Sequence, residues 1–263
     1  MQIGSYKELT ILHPLVPAVA AMAVGFWMGC HATTRSTDRS VVTDLGPVIH
    51  EYLMSHPEVL PAMSAALQQQ QRARFDAQAK QALSENAQAI FGDAADGSAG
   101  ATAAGKVVVE FFDAQCPFCK QLAPDLARLL SDDHEVRIIY KEFPILGGAS
   151  LTAAKAGLAA AKQGKYAAFH DALMADKTAE GQLGEDRILQ IAQAVGLDIG
   201  RLKADMASPE TEAKISHNLE LGKKLGLSGT PDLIVAGHVI SGFLPYDQIR
   251  KKLAVAPGAE AAR

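Results

Sequence analysis

The 263-residue sequence predicts an α/β fold: a strand–helix–strand unit, a block of helices, and a returning β-hairpin closed by a last helix. A separate helical module stands in front. Three observations predict this. The apolar run Val107-Val108-Val109-Glu110-Phe111-Phe112 and the segment from Val136 to Lys141 read as buried strands, and between them Leu122, Leu126, Leu129 and Leu130 recur at helical spacing. Two strands joined through one helix pair in parallel. After a long helical stretch, Asp232 to Ala236 and His238 to Ser241 return to strand character around a tight Ala236-Gly237 turn.

The first 32 residues read as a targeting segment. Leu15 to Cys30 carries no charged residue, with Lys7 and Glu8 before it. Three readings stand side by side: a cleavable signal peptide with a small-residue site near Cys30-His31-Ala32, a retained membrane anchor, or a lipidated Cys30 after Gly29. Each sends the rest of the chain out of the cytoplasm. Residues 31–40 are polar and read as a tether.

Residues 41–91 read as helical and as an oligomerisation module. Leu45, Val48, Ile49, Tyr52 and Leu53 share one helical face, Pro57 sets a boundary near Ser55-His56, and Val59, Leu60, Met63 and Leu67 begin a second helix. Further on, the apolar stripe thins to Phe75, Leu83 and Ile90. So narrow a stripe packs on the main domain or on copies of itself, or it bridges as a solvated spacer. Residues 92–105, rich in Gly, Ala and Ser, read as a linker.

The main domain is placed at 106–255, with a helical insertion at about 148–207. Helices are expected over 117–130, 150–163, 166–175, 185–195, 200–206, 209–225 and 245–253, punctuated by Gly164, Gly184 and Gly226.

The chemistry centres on Cys116-Pro117-Phe118-Cys119, at the end of a strand and the start of a helix. Two thiols at that spacing suit thiol–disulfide exchange, because the unpaired N–H groups and partial positive charge of a helix N-terminus favour a thiolate. A structural zinc site needs four ligands, and the one other cysteine is Cys30 in the leader, so no metal is expected. A net charge of −4 gives no case for a nucleic-acid partner. Two further features converge on the dithiol. Gly229-Thr230-Pro231 precedes a strand, where Pro231 is a candidate for a cis peptide, although local sequence alone favours trans. Glu110 is an acid in an apolar strand; buried, it would have a raised pKa and could take a proton from Cys119, whereas at a strand edge it would face solvent. Alternation does not choose between these. His170 reads as a packing residue.

Val-Glu-Phe-Phe-Asp-x-x-Cys-Pro-Phe-Cys, the segment from Lys141 to Gly147, and Gly229-Thr230-Pro231 followed by Gly237 to Gly242 resemble the DsbA family of thioredoxin-fold oxidoreductases. The resemblance runs from about Lys106 to Leu253. It is nearest the ScsC/Com1-like branch, whose helical module resembles Ile49 to Leu53 and Pro57 to Leu60, and whose phrases resemble Gln163 to Tyr166 and Phe169-His170. It implies a thioredoxin fold with an inserted helical domain. It also implies Cys116 as the attacking cysteine, Cys119 as the resolving one, a redox-active Cys116–Cys119 disulfide with no other cofactor, Pro231 as the cis-proline, and Glu110 in the buried-acid position. Substrate would lie against Thr230, Pro231, Pro117 and Phe118. The implied partners are unfolded or wrongly disulfide-bonded exported proteins and a DsbD-like or DsbB-like membrane redox protein. The implied location is the periplasm, with inner-membrane tethering through the leader if it is retained. Ala114 departs from the family, standing where an aromatic is common, and no clear edge strand precedes Lys106.

The dipeptide between the cysteines, Pro-Phe, carries no histidine, so a site less oxidising than the strong disulfide donors is expected. Together with Thr230 and a clustering module, this favours isomerase or reductase chemistry over a pure oxidase. A third reading, Cu(I) bound by the two thiolates, would make the chain a copper-stress binding protein, but two ligands give it little affinity.

Overall fold

The computed structural model describes residues 40–255; the leader, Cys30 and most of the tether lie outside them. The chain divides into two compact units after Val59. The first holds α1 (Ser40–Ser55), which runs through Pro47 and ends where the sequence breaks before Pro57. Ser55 Oγ donates to the carbonyls of Glu51 and Tyr52 at 2.7 and 3.0 Å, and the His56 ring stacks on Tyr52, which closes the helix end. Leu45, Val48, Ile49, Tyr52 and Leu53 all lie exposed.

The second unit begins in α2 (Val59–Glu85), continues through α3 (Ala87–Phe91), and carries a five-stranded sheet. Its strands are β1 (Gly97–Gly100), β2 (Lys106–Phe112), β3 (Val136–Glu142), β4 (Asp232–Val235) and β5 (His238–Ser241), in the spatial order β1-β3-β2-β4-β5. As the strand–helix–strand order requires, β2 and β3 are parallel; the other pairings are antiparallel. α4 (Pro117–Asp132) crosses between β2 and β3. The inserted block is α5 (Gly148–Lys162), α6 (Tyr166–Ala175), α7 (Glu185–Ala194) and α8 (Ile199–Met206). α9 (Pro209–Lys224) leads back to the sheet and α10 (Tyr246–Val255) closes it. This is the thioredoxin-like architecture expected, with the helical insertion between its halves. Ala236 and Gly237 both have positive φ, 52° and 74°, the primed-turn geometry that matches the twist of a two-residue hairpin.

The linker expectation for 92–105 is corrected in part: Gly97–Gly100 is an edge strand, with Gly97 opposite Tyr140 and Gly100 opposite Arg137. Two forces hold so small-residued a strand. Its backbone completes the β3 ladder, and Asp96 at its start pairs with the fully buried Lys141, whose Nζ also donates to Ala89 O at 2.6 Å. Lys214 of α9 joins the same cluster, 2.5 Å from Asp93 and 2.7 Å from Asp96. Buried charges persist only when paired in this way.

Both faces of the sheet are covered. On one, Val108, Phe112, Ile138, Leu233 and Val235 pack under α4, α6 and α10, with the insertion beyond. On the other, Val109, Phe111, Ile139 and Phe143 meet Leu83, Ile90, Leu221 and Leu225. The thin stripe of 75–90 therefore packs on the main domain at its C-terminal end, not as a solvated spacer. At the edge of the first face, Tyr166 donates to Glu142 Oε1 at 2.8 Å. Gly157 of α5 lies so close to that carboxyl that any side chain there would overlap it.

Candidate active site

β2 ends at Phe112, and the next four residues turn the chain into α4. Asp113 builds that turn. Its carbonyl accepts from Cys116 N at 2.9 Å and its Oδ1 from Gln115 N at 2.8 Å. Its Oδ2 accepts from Ile145 N and Leu146 N at 2.8 and 3.0 Å, tying the active-site loop to the segment after β3. Cys116 is the N-cap, with extended φ and ψ of −70° and 121°, and Pro117 takes the first helical turn, where a missing N–H costs nothing. Cys119 follows one turn on, 1% exposed against 5% for Cys116; both are free thiols. Phe118 between them is 58% exposed.

The returning chain faces this turn. The Thr230–Pro231 peptide is cis, and Cys116 Sγ lies 3.1 Å from the Thr230 carbonyl oxygen. Gly242 N braces the loop, donating to Pro231 O at 2.9 Å and to Asp232 Oδ1 at 3.0 Å. The sheet thus brings Cys116, Pro117, Phe118, Thr230 and Pro231 together at one end.

Glu110 lies between Val108 and Phe112, and the two-residue period of a strand puts it on the face that α4 covers. It is buried, not at a solvent-facing edge. Burial first, and then the Cys116 charge, push its carboxyl up to about 8. The two thiols are driven apart. Cys116 is pulled down to about 6, chiefly by the hydrogen bond with the Cys119 thiol, with the Thr230 side chain and the N–H groups of Cys119 and Phe118 adding to it against the opposing effect of burial. Cys119 moves well above the ordinary thiol range, through burial, its bond to Cys116 and the nearby Glu110 and Cys116 charges. At neutral pH the pair is one thiolate facing the Thr230–Pro231 loop and one thiol beneath it, and only the thiolate is nucleophilic. Among the described residues no cluster of three or more His, Cys, Asp or Glu side chains could hold a metal.

Three supporting residues carry no motif of their own. Gln115 Oε1 accepts from Gly181 N at 2.7 Å, and Lys120 Nζ donates to Asp176 O at 2.8 Å, so the loop between α6 and α7 is fastened to the dithiol turn. Arg187 holds Asp176 from α7. Asp113 could have been found, since an acid directly after an apolar strand and before a helix start is a frequent turn builder; Gln115 and Lys120 gave no signal.

The family model for the DSBA-like thioredoxin domain matches residues 107–254, and that for the copper resistance protein ScsC N-terminal domain matches residues 42–74. A thioredoxin-like oxidoreductase from Silicibacter pomeroyi is 40% identical, with a TM-score of 0.60 over 64% of this chain and 95% of that one. A Proteus mirabilis ScsC variant with a linker deletion is 26% identical, with a TM-score of 0.63 over 86% of this chain and 99% of that one. A probable disulfide bond formation protein D of Bacillus cereus is 29% identical over 156 residues, 56% of this chain and 71% of that protein. The chain also matches a Na(+)/H(+) antiporter NhaA of Salinispora tropica, but spans only 21% of its length. Among the described residues no helix is long and apolar enough to cross a membrane.

Proposed function

This chain belongs to the DSBA-like thioredoxin-domain family of thiol–disulfide oxidoreductases, and on that premise we propose that it reduces and reshuffles wrong disulfides in exported proteins. The observation that carries the reading is the split between a Cys116 held down to about 6 and a Cys119 pushed far above it. The Cys116 thiolate attacks one sulfur of a substrate disulfide; a Cys116–substrate bond forms and the other substrate sulfur leaves as thiolate. Two exits follow. A substrate thiolate attacks the mixed disulfide and frees Cys116, which is isomerisation with no net redox change. Alternatively, once the mixed disulfide has removed the Cys116 charge that helps keep Glu110 protonated, Cys119 gives its proton to the ionised fraction of Glu110 and attacks Cys116 Sγ. The substrate then leaves reduced, and a membrane dithiol partner must regenerate the enzyme.

Direction follows from how strongly the thiolate is favoured. Thioredoxin has a nucleophile near pKa 7 and the strongly oxidising DsbA one near 3.5; a Cys116 at about 6 lies nearer the first. With no histidine between the cysteines, the reduced form gains less, which supports isomerase or reductase work over dithiol oxidation. The substrate is an unfolded chain with apolar side chains near its cysteines. Phe118, Ile145, Leu146 and Leu151 are exposed, and Asp113 ties Ile145 and Leu146 to the Cys116 turn. The exposed α1 face supports assembly with further copies of the chain, and similarity to ScsC supports a periplasmic location.

The test sets refolding of scrambled ribonuclease beside oxidation of reduced ribonuclease, each with the full chain. Faster recovery of the scrambled substrate is expected; recovery of the reduced substrate alone would make the chain an oxidase.

A further inference from the structure

Asp232 directly follows the Thr230–Pro231 peptide and opens β4. Across β2 and β4 it stands opposite Phe111, whereas Glu110 stands opposite Leu233. The two-residue period therefore puts Asp232 and Glu110 on opposite faces of the sheet, one acid on each side of the strand end that carries the dithiol. The exchange chemistry uses Glu110 and leaves Asp232 without a task. Yet Asp232 is 2% exposed, and its Oδ2 is buried with no hydrogen-bond partner. Burial holds the carboxyl above its ordinary value, against the pull of the Gly242, Gly229 and Ser228 amides and the Ser241 side chain. A buried carboxyl with one oxygen unpaired costs stability, and an apolar residue would start the strand without that cost.

The other oxygen is engaged. Oδ1 accepts from Gly242 N at 3.0 Å, and the same N–H donates to Pro231 O at 2.9 Å. Gly242 has a φ of 84°, a backbone conformation that favours glycine. One amide thus joins the proline to the acid that follows it. The Ser228 and Gly229 amides, on the incoming limb of the turn, also act on the carboxyl. Groups from both limbs converge on one side chain, and Thr230 lies between them. Thr230 in turn faces the nucleophile. Its carbonyl oxygen is 3.1 Å from Cys116 Sγ, and its side chain helps to hold Cys116 down.

We propose that Asp232 is a positioning residue for the exchange reaction: its carboxyl fixes the turn at 228–231 and so holds Thr230 against Cys116 and against the substrate chain. It touches neither reacting sulfur. The substrate half rests on the reading of Thr230 and Pro231 as the substrate-facing loop; the Cys116 half does not. The sign of one measurement separates positioning from plain charge. An anion nearby disfavours a thiolate, so removing it would lower the Cys116 midpoint, whereas a slackened turn withdraws Thr230 and raises it.

The test uses the full chain. Asp232→Leu keeps a branched side chain but removes both oxygens, and Asp232→Asn keeps an acceptor for Gly242 N while losing the charge. Ultraviolet thiolate absorbance of each reduced protein gives the Cys116 midpoint, and steady-state exchange with a disulfide peptide gives kcat and KM. Asp232→Leu is expected to move the midpoint up from about 6 by about half a pH unit. It is also expected to raise KM about fivefold, the weight of one hydrogen bond, with kcat changed less. Asp232→Asn should restore both toward the parent. In a Thr230→Val background the midpoint shift from Asp232→Leu should disappear, because the side chain it positions is gone. Asp232→Ala is the second variant should Asp232→Leu not fold. A midpoint that stays or falls, even with lower thermal stability, overturns the proposal, as does an Asp232→Asn protein that behaves like Asp232→Leu. A raised midpoint with unchanged KM upholds the hold on Cys116 and overturns the substrate half. If the parent exchanges no peptide disulfide, the proposed function fails, while the midpoints still decide the role of Asp232.

Discussion

Replacing Glu110 by Gln should stabilise the reduced protein, and by more as the pH rises. Burial and the Cys116 charge raise this carboxyl from 4.5 to about 8 in the folded state. Between those two values the folded protein keeps a proton that the unfolded chain has released, so the folded state loses stability as pH climbs through the window. At about 1.4 kcal/mol per pH unit, the cost reaches about 3 kcal/mol at pH 7 and about 5 kcal/mol by pH 9, where it levels off. Glutamine resembles the protonated acid and does not titrate, so Glu110→Gln should match the parent near pH 4.5 and exceed it by those amounts above. The assay is urea unfolding of both reduced proteins from pH 4.5 to 9, read as the difference between them, so that the opposite contribution of Cys116 largely cancels. That contribution comes from a depressed pKa and rises with pH from about 6. In the oxidised proteins the Cys116 charge is gone and the difference should shrink. A flat difference curve, or a variant that loses stability relative to the parent as pH rises, would refute the burial argument.

Other outcomes follow from the same geometry. Cys119→Ser should trap a covalent Cys116–substrate disulfide, seen on non-reducing gels, whereas Cys116→Ser should trap none. Equilibration with glutathione should give a reduction potential of about −230 mV, obtained by placing a Cys116 of about 6 between the reference pairs of roughly 7 with −270 mV and 3.5 with −120 mV; a value near the last would refute the weaker-oxidant reading. Gly157→Ala should cost about 1–3 kcal/mol in thermal unfolding, because its methyl must displace Glu142 from its bond with Tyr166.

The sequence made the dithiol turn legible because every local signal agrees there: an apolar strand, a cysteine at the cap and a proline at the first helical position. Glu110 was not decidable from pattern. β2 is apolar on both faces, so alternation had no polar side against which to place it, and only the covering helices settle its burial. β1 escaped for a different reason. Gly97-Ser98-Ala99-Gly100 has no strand propensity, and it is a strand because β3 offers an unpaired edge and Lys141 holds Asp96. The signal that could have been read was Lys141 itself, a cation in an apolar strand that needs a buried acid somewhere. His170 reads as packing, and it does pack, against Phe112 and Tyr140; that its Nε2 finds no partner there is visible only in the folded chain.

The central claim is that Cys116 is a thiolate at neutral pH while Cys119 is not. Ultraviolet thiolate absorbance of the reduced protein, titrated from acid to alkali, tests it directly. One thiolate should appear with a midpoint near pH 6 and vanish in Cys116→Ser. A first step only above about pH 8, in the range of an ordinary thiol, or a low step that survives the loss of Cys116, would contradict it.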